Sequence, residues 1–207
     1  EAETKEYVAA FRPGLVTDTQ DITGNLLRSA DVLPTEEDVR AALGRFTGEI
    51  EQIPPMYSAI KINGQKLYDI ARRGGEVERT PRRITIDSIE YLGQQNGDHM
   101  LRIRCSKGTY IRTLCHDLGE YLGCGGCMAA LRRTRSGNFS VENARRIGAL
   151  TRADRDTLLP VDTLFSSAAA LTLTAAQEKR CRCGNPFRMN APDGETRFYS
   201  ENGEFLA

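Results

Sequence analysis

Along Met100 to Ser106 the apolar side chains Leu101, Ile103 and Cys105 alternate with Arg102, Arg104 and Ser106, the period of two that predicts a strand with one buried face. An Asn96-Gly97 pair lies just upstream, with Arg83 to Leu92 before it. Asn and Gly tolerate the positive φ angles of a tight two-residue turn, so the whole stretch predicts a long antiparallel hairpin. Gly108 ends the second strand and the spacing changes. Ile111, Leu114, Cys115, Leu118, Tyr121 and Leu122 recur at helical intervals, predicting a helix over Tyr110 to Leu122 with Thr109 as its cap.

The same reading organises the rest of the chain. Lys5 to Arg12 predicts a strand with Tyr7, Ala9 and Phe11 on one side; with no natural start before it, a partner strand is expected to be missing. Pro34 to Asp38 opens a helix with acids in its first turn and carries on through Val39, Ala42, Leu43 and Phe46. Gly48 to Ile53 is a strand stopped by Pro54-Pro55. Tyr57 to Ile62 is extended, Asn63-Gly64 turns it, and Lys66 to Arg73 forms a short basic helix carrying Leu67, Tyr68, Ile70 and Ala71. This is an α+β pattern, without internal repeats, low-complexity tracts or a glycine-rich phosphate loop. The small-residue stretch Ser166 to Ala170 predicts a boundary, giving domains 1–165 and 166–207. The second carries a short helix near Ala175 to Cys183, a break at Gly184 to Pro186 and the start of a hairpin over Arg197 to Leu206.

A length of 207 residues suits one large domain, or a medium domain with a small appendage. Lys plus Arg and Asp plus Glu are 28 each, so the molecule as a whole has no field that announces a polyanion. The charges are nevertheless unevenly placed. Lys61, Lys66, Arg72, Arg73, Arg79, Arg82 and Arg83 face only Asp69, Glu76 and Glu78 over one stretch. Arg102, Arg104, Lys107, Arg112, Arg132, Arg133 and Arg135 face only Asp117 and Glu120 over another. Two basic patches are compatible with a polyanion bound at one face, and equally with solvated surface.

No apolar run has the length of a membrane span and no leader-like segment opens the chain, so a soluble cytoplasmic protein is expected. Six cysteines raise the zinc question. Cys124 with Cys127 and Cys181 with Cys183 supply four thiolates, but the single-residue spacing of the second pair and the long separation argue against a site. Cys105 and Cys115 read as small buried thiols, and Gly123 to Gly126 as a turn after a helix.

The stretch Cys105 to Arg112 concentrates a cation (Lys107), a flexible turn, an aromatic hydroxyl (Tyr110) and a guanidinium (Arg112) immediately after a strand, a set suited to gripping a flat, anionic substrate. Arg112 falls in the first turn of its helix, where a cation opposes the macrodipole. A stabilising role is therefore a poor explanation for it.

Five ordered stretches resemble one family over nearly the whole chain. They are Lys5 to Tyr7 running on to Thr17 through Gly24, Pro54 to Lys61 with Asn63-Gly64 and Leu67-Tyr68, Cys105 to Arg112, Leu122 to Cys127, and Leu131 to Arg135. Their order and spacing look like the bacterial tRNA pseudouridine synthase B family, which isomerises the T-loop uridine at conventional tRNA position 55. The resemblance implies a pseudouridine synthase fold, a mixed and largely antiparallel central sheet flanked by helices, plus a small incomplete C-terminal RNA-binding domain. It implies a tRNA T stem-loop as substrate, action as a monomer with no membrane partner, and no metal or organic cofactor. Reaching a base inside a structured loop implies flipping it out, with apolar and aromatic groups compensating for lost stacking.

In the resembling family the position matching Tyr7 stacks under the base and is a candidate for C5 proton removal. The position matching Arg112 pairs with the catalytic carboxylate, that matching Leu131 packs on the ring, and that matching Tyr110 lines the pocket. Asp21 matches an aspartate that anchors RNA-binding elements, and residues 54–83 resemble a mobile thumb that makes Lys61, Lys66, Arg72 and Arg73 phosphate ligands beside Lys107. Without the family, Tyr7 and Leu131 would read as core residues and Asp21 as a turn residue before Gly24.

The family's nucleophilic aspartate belongs to a His-x-Gly-Thr-Leu-Asp-Pro motif that this sequence does not contain. Asp18, Asp21 and Asp117 match other positions. The expectation is a fragment, inactive alone, with an exposed sheet edge and an Arg112 lacking its carboxylate. A non-catalytic tRNA-binding or folding module using the same groove is the alternative, and a zinc-stabilised interaction domain a third.

Overall fold

The computed structural model describes residues 4–151 and 158–207. Two compact units divide at Ala144/Arg145. In the first, strands β1 (Thr4–Pro13), β4 (Gly48–Gln52), β7 (Arg82–Gln95), β8 (Asp98–Ser106), β9 (Gly126–Ser136) and β10 (Phe139–Ser140) form one six-stranded sheet in the order β10-β9-β1-β8-β7-β4, antiparallel throughout. Helices α1 (Glu36–Leu43) and α3 (Ile111–Tyr121) contribute to a single core with it: Val39, Ala42 and Leu43 from α1, and Ile111, Leu114, Cys115 and Leu118 from α3, meet Ala9, Phe11, Ile84, Ile86, Leu101, Ile103 and Cys105.

Most local expectations match. The β7–β8 hairpin turns at Asn96 and Gly97, with φ of 51° and 82°. Thr35 and Asp38 form a reciprocal capping box at α1, an arrangement that contributes about 1 kcal/mol. The strand read over Lys5 to Arg12 is β1, but its expected vacancy is not there. β1 is interior, with Tyr7 opposite Ile103 of β8 on one side and opposite Arg133 of β9 on the other. The sheet's edges are β10 and β4 instead. The partner missed by sequence reading is β9, whose Gly-Cys-Met-Ala-Ala-Leu-Arg-Arg-Thr-Arg-Ser composition lacks β-branched residues apart from one threonine.

The helix cap also differs. Thr109 does not cap α3; its hydroxyl donates to the Ser106 carbonyl at 3.0 Å and closes the preceding turn, leaving Tyr110 as N-cap without a side-chain cap bond of its own. At the other end of α3, Gly119 touches the Gly125–Gly126 backbone so closely that a Cβ there would lie 2.2 Å from the Gly126 nitrogen. That absent side chain sets how near α3 comes to β9.

Between β4 and β7 the chain makes an excursion containing the two-residue strands β5 (Lys61–Ile62) and β6 (Gln65–Lys66) and helix α2 (Leu67–Arg72). It leaves and returns at the paired residues Gln52 and Arg82, and Arg79 donates to the Pro54 carbonyl across its neck at 3.1 Å. A separate small hairpin, β2 (Leu15–Thr17) with β3 (Leu26–Ser29), follows β1.

In the second unit, β11 (Ala169–Thr172), α4 (Ala175–Arg182) and β12 (Thr196–Tyr199) form a parallel crossover, with Ala169 opposite Thr196 and Thr172 opposite Tyr199. The start of a terminal hairpin is present, with an antiparallel bridge between Tyr199 and Phe205 and backbone bonds from Phe198 to Ala207, Leu206 to Phe198 and Ser200 to Glu204, while Ala169 and Ala170 of the small-residue stretch read as a connector belong to strand β11. Among the described residues no helix is long and apolar enough to cross a membrane.

Two stability outcomes follow from this packing. Gly119→Ala should cost about 3 kcal/mol, because the clash is with backbone and cannot be relieved by a rotamer change; urea unfolding at unchanged m-value would measure it. His99 is 1% exposed, its Nδ1 paired with the Tyr91 hydroxyl at 2.9 Å, and burial holds it below its ordinary value of 6.5 against opposing pulls from Glu36 and Asp98. A base with a depressed folded pKa binds fewer protons when folded. Its stabilisation is therefore complete above about pH 6.5 and lost as pH falls through the folded value. Unfolding free energies below pH 6.5 should decline more steeply for the native protein than for His99→Gln.

Candidate active site

In an antiparallel pair, directly opposed residues project from the same face of the sheet. Tyr7 opposes Ile103, Ala9 opposes Leu101, and Leu131 of β9 opposes Ala9, so Tyr7 and Leu131 share the face that packs α1 and α3. Leu131 is 43% exposed there, whereas Tyr7 is partly buried against the core. Lys5 lies on this face too and is buried at 8% exposure, a feature no sequence pattern announced.

Arg112 is the second residue of α3 and is partly buried. Its guanidinium lies 5.9 Å from the centre of the Tyr110 ring and donates to the Tyr57 carbonyl, within the excursion between β4 and β7. Burial pulls its pKa below the ordinary arginine value, against the opposing influence of Tyr110 and Asp21. Among the described residues no carboxylate is ion-paired with it. The result is a cation in the dipole-unfavourable turn of a helix, stabilised by a carbonyl and a ring face and still able to accept an anion.

Asp21 sits in a loop fastened to both β9 and α3. Its carboxylate accepts from the Thr23 amide at 3.0 Å and hydroxyl at 2.6 Å, closing an Asx turn. The Ile22 amide donates to the Met128 carbonyl, the Met128 amide to the Gln20 carbonyl, and the Thr113 hydroxyl to the Gln20 side chain at 2.7 Å. Gln20 takes a left-handed φ of 61° to make this connection. Asp117, further along α3, is pushed above its ordinary value by burial.

The basic residues fall in two places. Lys107 is exposed in the turn between β8 and Tyr110. Lys61 and Lys66 oppose one another in the β5–β6 hairpin and, with Arg73 and Asp69, line an open cleft of about 300 Å³. Lys66 donates to the Tyr68 hydroxyl at 2.9 Å, and Arg72 lies 5.2 Å from the centre of the same ring, on the tyrosine rather than in the cleft. An ammonium pair and a guanidinium around an open cleft can hold phosphate oxygens, since three cations there face a single carboxylate.

Sequence reasoning passed over Gln52. It is the last residue of β4, 3% exposed, and its carboxamide bonds both the amide and the carbonyl of Tyr110. The only available signal was a glutamine before Pro54-Pro55 at the end of a strand. Partner identity, 58 residues away, is not encoded locally.

The cysteines are dispersed in role. Among the described residues no group of three or more His, Cys, Asp or Glu side chains comes together to hold a metal. Burial pushes Cys105 and Cys127 up to about 11 and Cys115 higher still, whereas Cys183 is exposed and Cys181 intermediate. Alkylation of the native protein at neutral pH should therefore modify Cys183 and Cys181 and spare the four buried thiols, Cys105, Cys115, Cys124 and Cys127. Peptide mapping that found Cys105 or Cys115 modified first would contradict this packing.

Comparisons with known proteins bear on the whole arrangement. Residues 1–111 match the TruB family pseudouridylate synthase N-terminal domain, and residues 112–166 match the tRNA pseudouridylate synthase B C-terminal domain. The chain is 47% identical over 177 residues to the tRNA pseudouridine synthase B of Aromatoleum aromaticum, covering 84% of this chain and 58% of that protein. It is 43% identical over 211 residues to that of Ralstonia nicotianae, covering 97% and 67%. With that of Alkaliphilus oremlandii the identity is 44% over 188 residues, covering 90% and 63%. The chain thus spans between 58% and 67% of the length of these relatives. Among solved structures, a chain of a Cbf5-Nop10-Gar1 complex superposes with a TM-score of 0.68 at 22% identity, covering 99% of this chain and 58% of that one. A chain of an H/ACA RNP bound to a substrate RNA containing 2'-deoxyuridine gives 0.66 at 19%, covering 99% and 57%. These two likenesses speak to the fold.

Proposed function

The chain belongs to the TruB family of pseudouridylate synthases, and from that premise we propose that the complete gene product isomerises a uridine in the T-loop of tRNA to pseudouridine. The reaction breaks the bond between uracil N1 and the ribose, turns the base, joins C5 to the ribose and removes the C5 proton. It needs a carboxylate nucleophile, a cation beside it and a base held out of its stack. The observation that carries the reading is Arg112: a partly buried guanidinium in the first turn of α3, the helix that packs on the sheet face bearing Tyr7 and Leu131, with no carboxylate ion-paired to it among the described residues.

In this proposal Tyr7 stacks beneath the flipped uracil and takes the C5 proton, Leu131 packs on the ring, Tyr110 lines the pocket and Arg112 pairs with the nucleophilic carboxylate. Asp21 supports the loop that leans on α3. Lys107, Lys61, Lys66, Arg72 and Arg73 contact phosphates, fixing register without reading sequence. The partition into a catalytic domain over 1–165, with residues 54–83 as an RNA-clamping thumb, and an RNA-binding domain over 166–207 belongs to the same proposal. So do monomeric action and a cytoplasmic location.

The carboxylate itself is assigned to a residue outside this chain. Asp21 is the carboxylate whose field reaches Arg112, but its oxygen already accepts two bonds from Thr23. Tritium release from a T-loop transcript labelled at uridine C5 tests the proposal: release is expected from the complete gene product and not from the 207-residue chain, and binding without release by the complete product would favour a non-catalytic RNA-folding role. Arg112→Ala in the complete product should lower turnover by at least about 100-fold. Replacing Lys61 or Arg73 with Ala should reduce the slope of log affinity against log salt by about one, as expected when one phosphate contact is lost.

A further inference from the structure

Gln52 ends β4 and begins the excursion that carries the basic cleft. Its side-chain oxygen accepts from the Tyr110 amide at 2.8 Å, and its side-chain nitrogen donates to the Tyr110 carbonyl at 3.0 Å. A primary carboxamide is suited to this, because it presents one donor and one acceptor side by side, matching the two polar groups of one residue's backbone. The partner is the N-cap of α3, which makes no side-chain cap bond. Gln52 therefore joins the sheet to the start of the helix like one rung of a strand ladder.

The two bonds are not equivalent. The Tyr110 carbonyl also accepts from the Leu114 amide at 3.1 Å, as the first turn of α3 requires, so it keeps a partner if Gln52 is lost. The amide of Tyr110 has no such second partner among the described contacts, and a buried N–H without an acceptor is strongly disfavoured. Tyr110 is partly buried, and its amide is relieved by a shift of the start of α3 towards solvent. That shift moves Tyr110 first and Arg112, two residues on in the same first turn, with it. Arg112 is tied on its other side to the Tyr57 carbonyl, in the segment that Gln52 introduces, so the guanidinium is bracketed by one structural joint.

We propose that Gln52 is a positioning residue for the isomerisation: by holding both backbone groups of Tyr110 it sets where the Tyr110 ring and the Arg112 guanidinium stand relative to Tyr7 and Leu131. The inference rests on the function proposed above and adds a residue to it. Gln52 touches neither base nor ribose in this account. A displacement of about 1 Å at a catalytic group is enough to cost on the order of 100-fold in rate.

Two variants of the complete gene product separate this role from simple filling of space. Gln52→Met keeps the length and most of the volume but can neither donate nor accept. It should lower kcat by about 10- to 100-fold, leave tRNA affinity within about threefold, and abolish protection of the Tyr110 amide in hydrogen exchange. Gln52→Glu keeps the acceptor for the amide, while its second oxygen faces the Tyr110 carbonyl. Ionised, that oxygen repels the carbonyl; protonated, it donates and restores both bonds. Its kcat relative to the native protein should therefore rise as pH falls through the carboxyl's titration, a limb the native protein lacks. Native kcat in Gln52→Met would overturn the inference, as would parallel losses of affinity and turnover in both variants with no pH limb in Gln52→Glu. Should Gln52→Met fail to fold, the pH profile of Gln52→Glu decides. Absence of turnover by the native product sinks the function itself; native turnover with an indifferent Gln52→Met sinks only the positioning role.

Discussion

The double pairing of β1 is the constraint on which the rest of the first unit depends. With β8 on one side and β9 on the other, β1 has its polar backbone groups satisfied within the sheet, and its alternate residues Tyr7, Ala9 and Phe11 are committed to the face that receives α3. A slip of one residue would turn Tyr7 to the opposite face and take Phe11, which is fully buried, out of the core it shares with α3. Register at Tyr7 is thus enforced by the burial of Phe11 and Ala9 rather than by anything Tyr7 itself does. The two bulges in the β1–β9 ladder, between Glu6 and Tyr7 and between Ala10 and Phe11, bracket this part of the strand.

From that face the position of Arg112 is built in three independent ways. The near-contact of Gly119 with the Gly125–Gly126 backbone sets the depth of the helix's far end, Gln52 holds its near end, and the Gln20–Thr113 bond fastens its side. None of these compensates the charge of Arg112. Its guanidinium sits at the positive end of a helix, partly removed from water, with its pKa drawn downward by burial. A carbonyl dipole and an aromatic face offset this in part, and an anion would do so more completely. The geometry is held by backbone and neutral side chains, which leaves the electrostatic demand open for a ligand or a carboxylate.

The excursion between β4 and β7 is joined to the sheet at a narrow neck. Gln52 and Arg82 are paired, Arg79 closes on Pro54, and Arg112 reaches Tyr57 just beyond. Further out, the excursion holds itself together with one fully buried side chain, Leu67, and backbone bonds from Leu67 to Ile60 and from Tyr68 to Ser58. The excursion is thus joined to the sheet at a narrow neck and carries little core of its own. Its cations Lys61, Lys66 and Arg73 lie on one element, whose root holds the Arg112 guanidinium through the Tyr57 carbonyl.

What the sequence determined by itself was everything governed by neighbouring residues. The Asn96-Gly97 turn, the acidic helix entry over Pro34 to Asp38, the alternation in β8 and the spacing in α3 are local interactions, so their outcome was legible without a partner. Tertiary structure decided the rest. β9 is a strand because β1 offers it a ladder, although its Ala- and Arg-rich sequence has little preference for one. β12 pairs in parallel with β11 because α4 carries the chain back, a partner the local sequence of the terminal hairpin did not announce. Thr109 lost its capping role to a turn bond with Ser106, and the helix start passed to Gln52 on another strand. The Thr109 bond is local, but the pairing of β9, the pairing of β12 and the hold of Gln52 on Tyr110 each turn on hydrogen bonds between residues distant in sequence, whose energy depends on burial and on which partner arrives. No window of neighbouring residues contains that information.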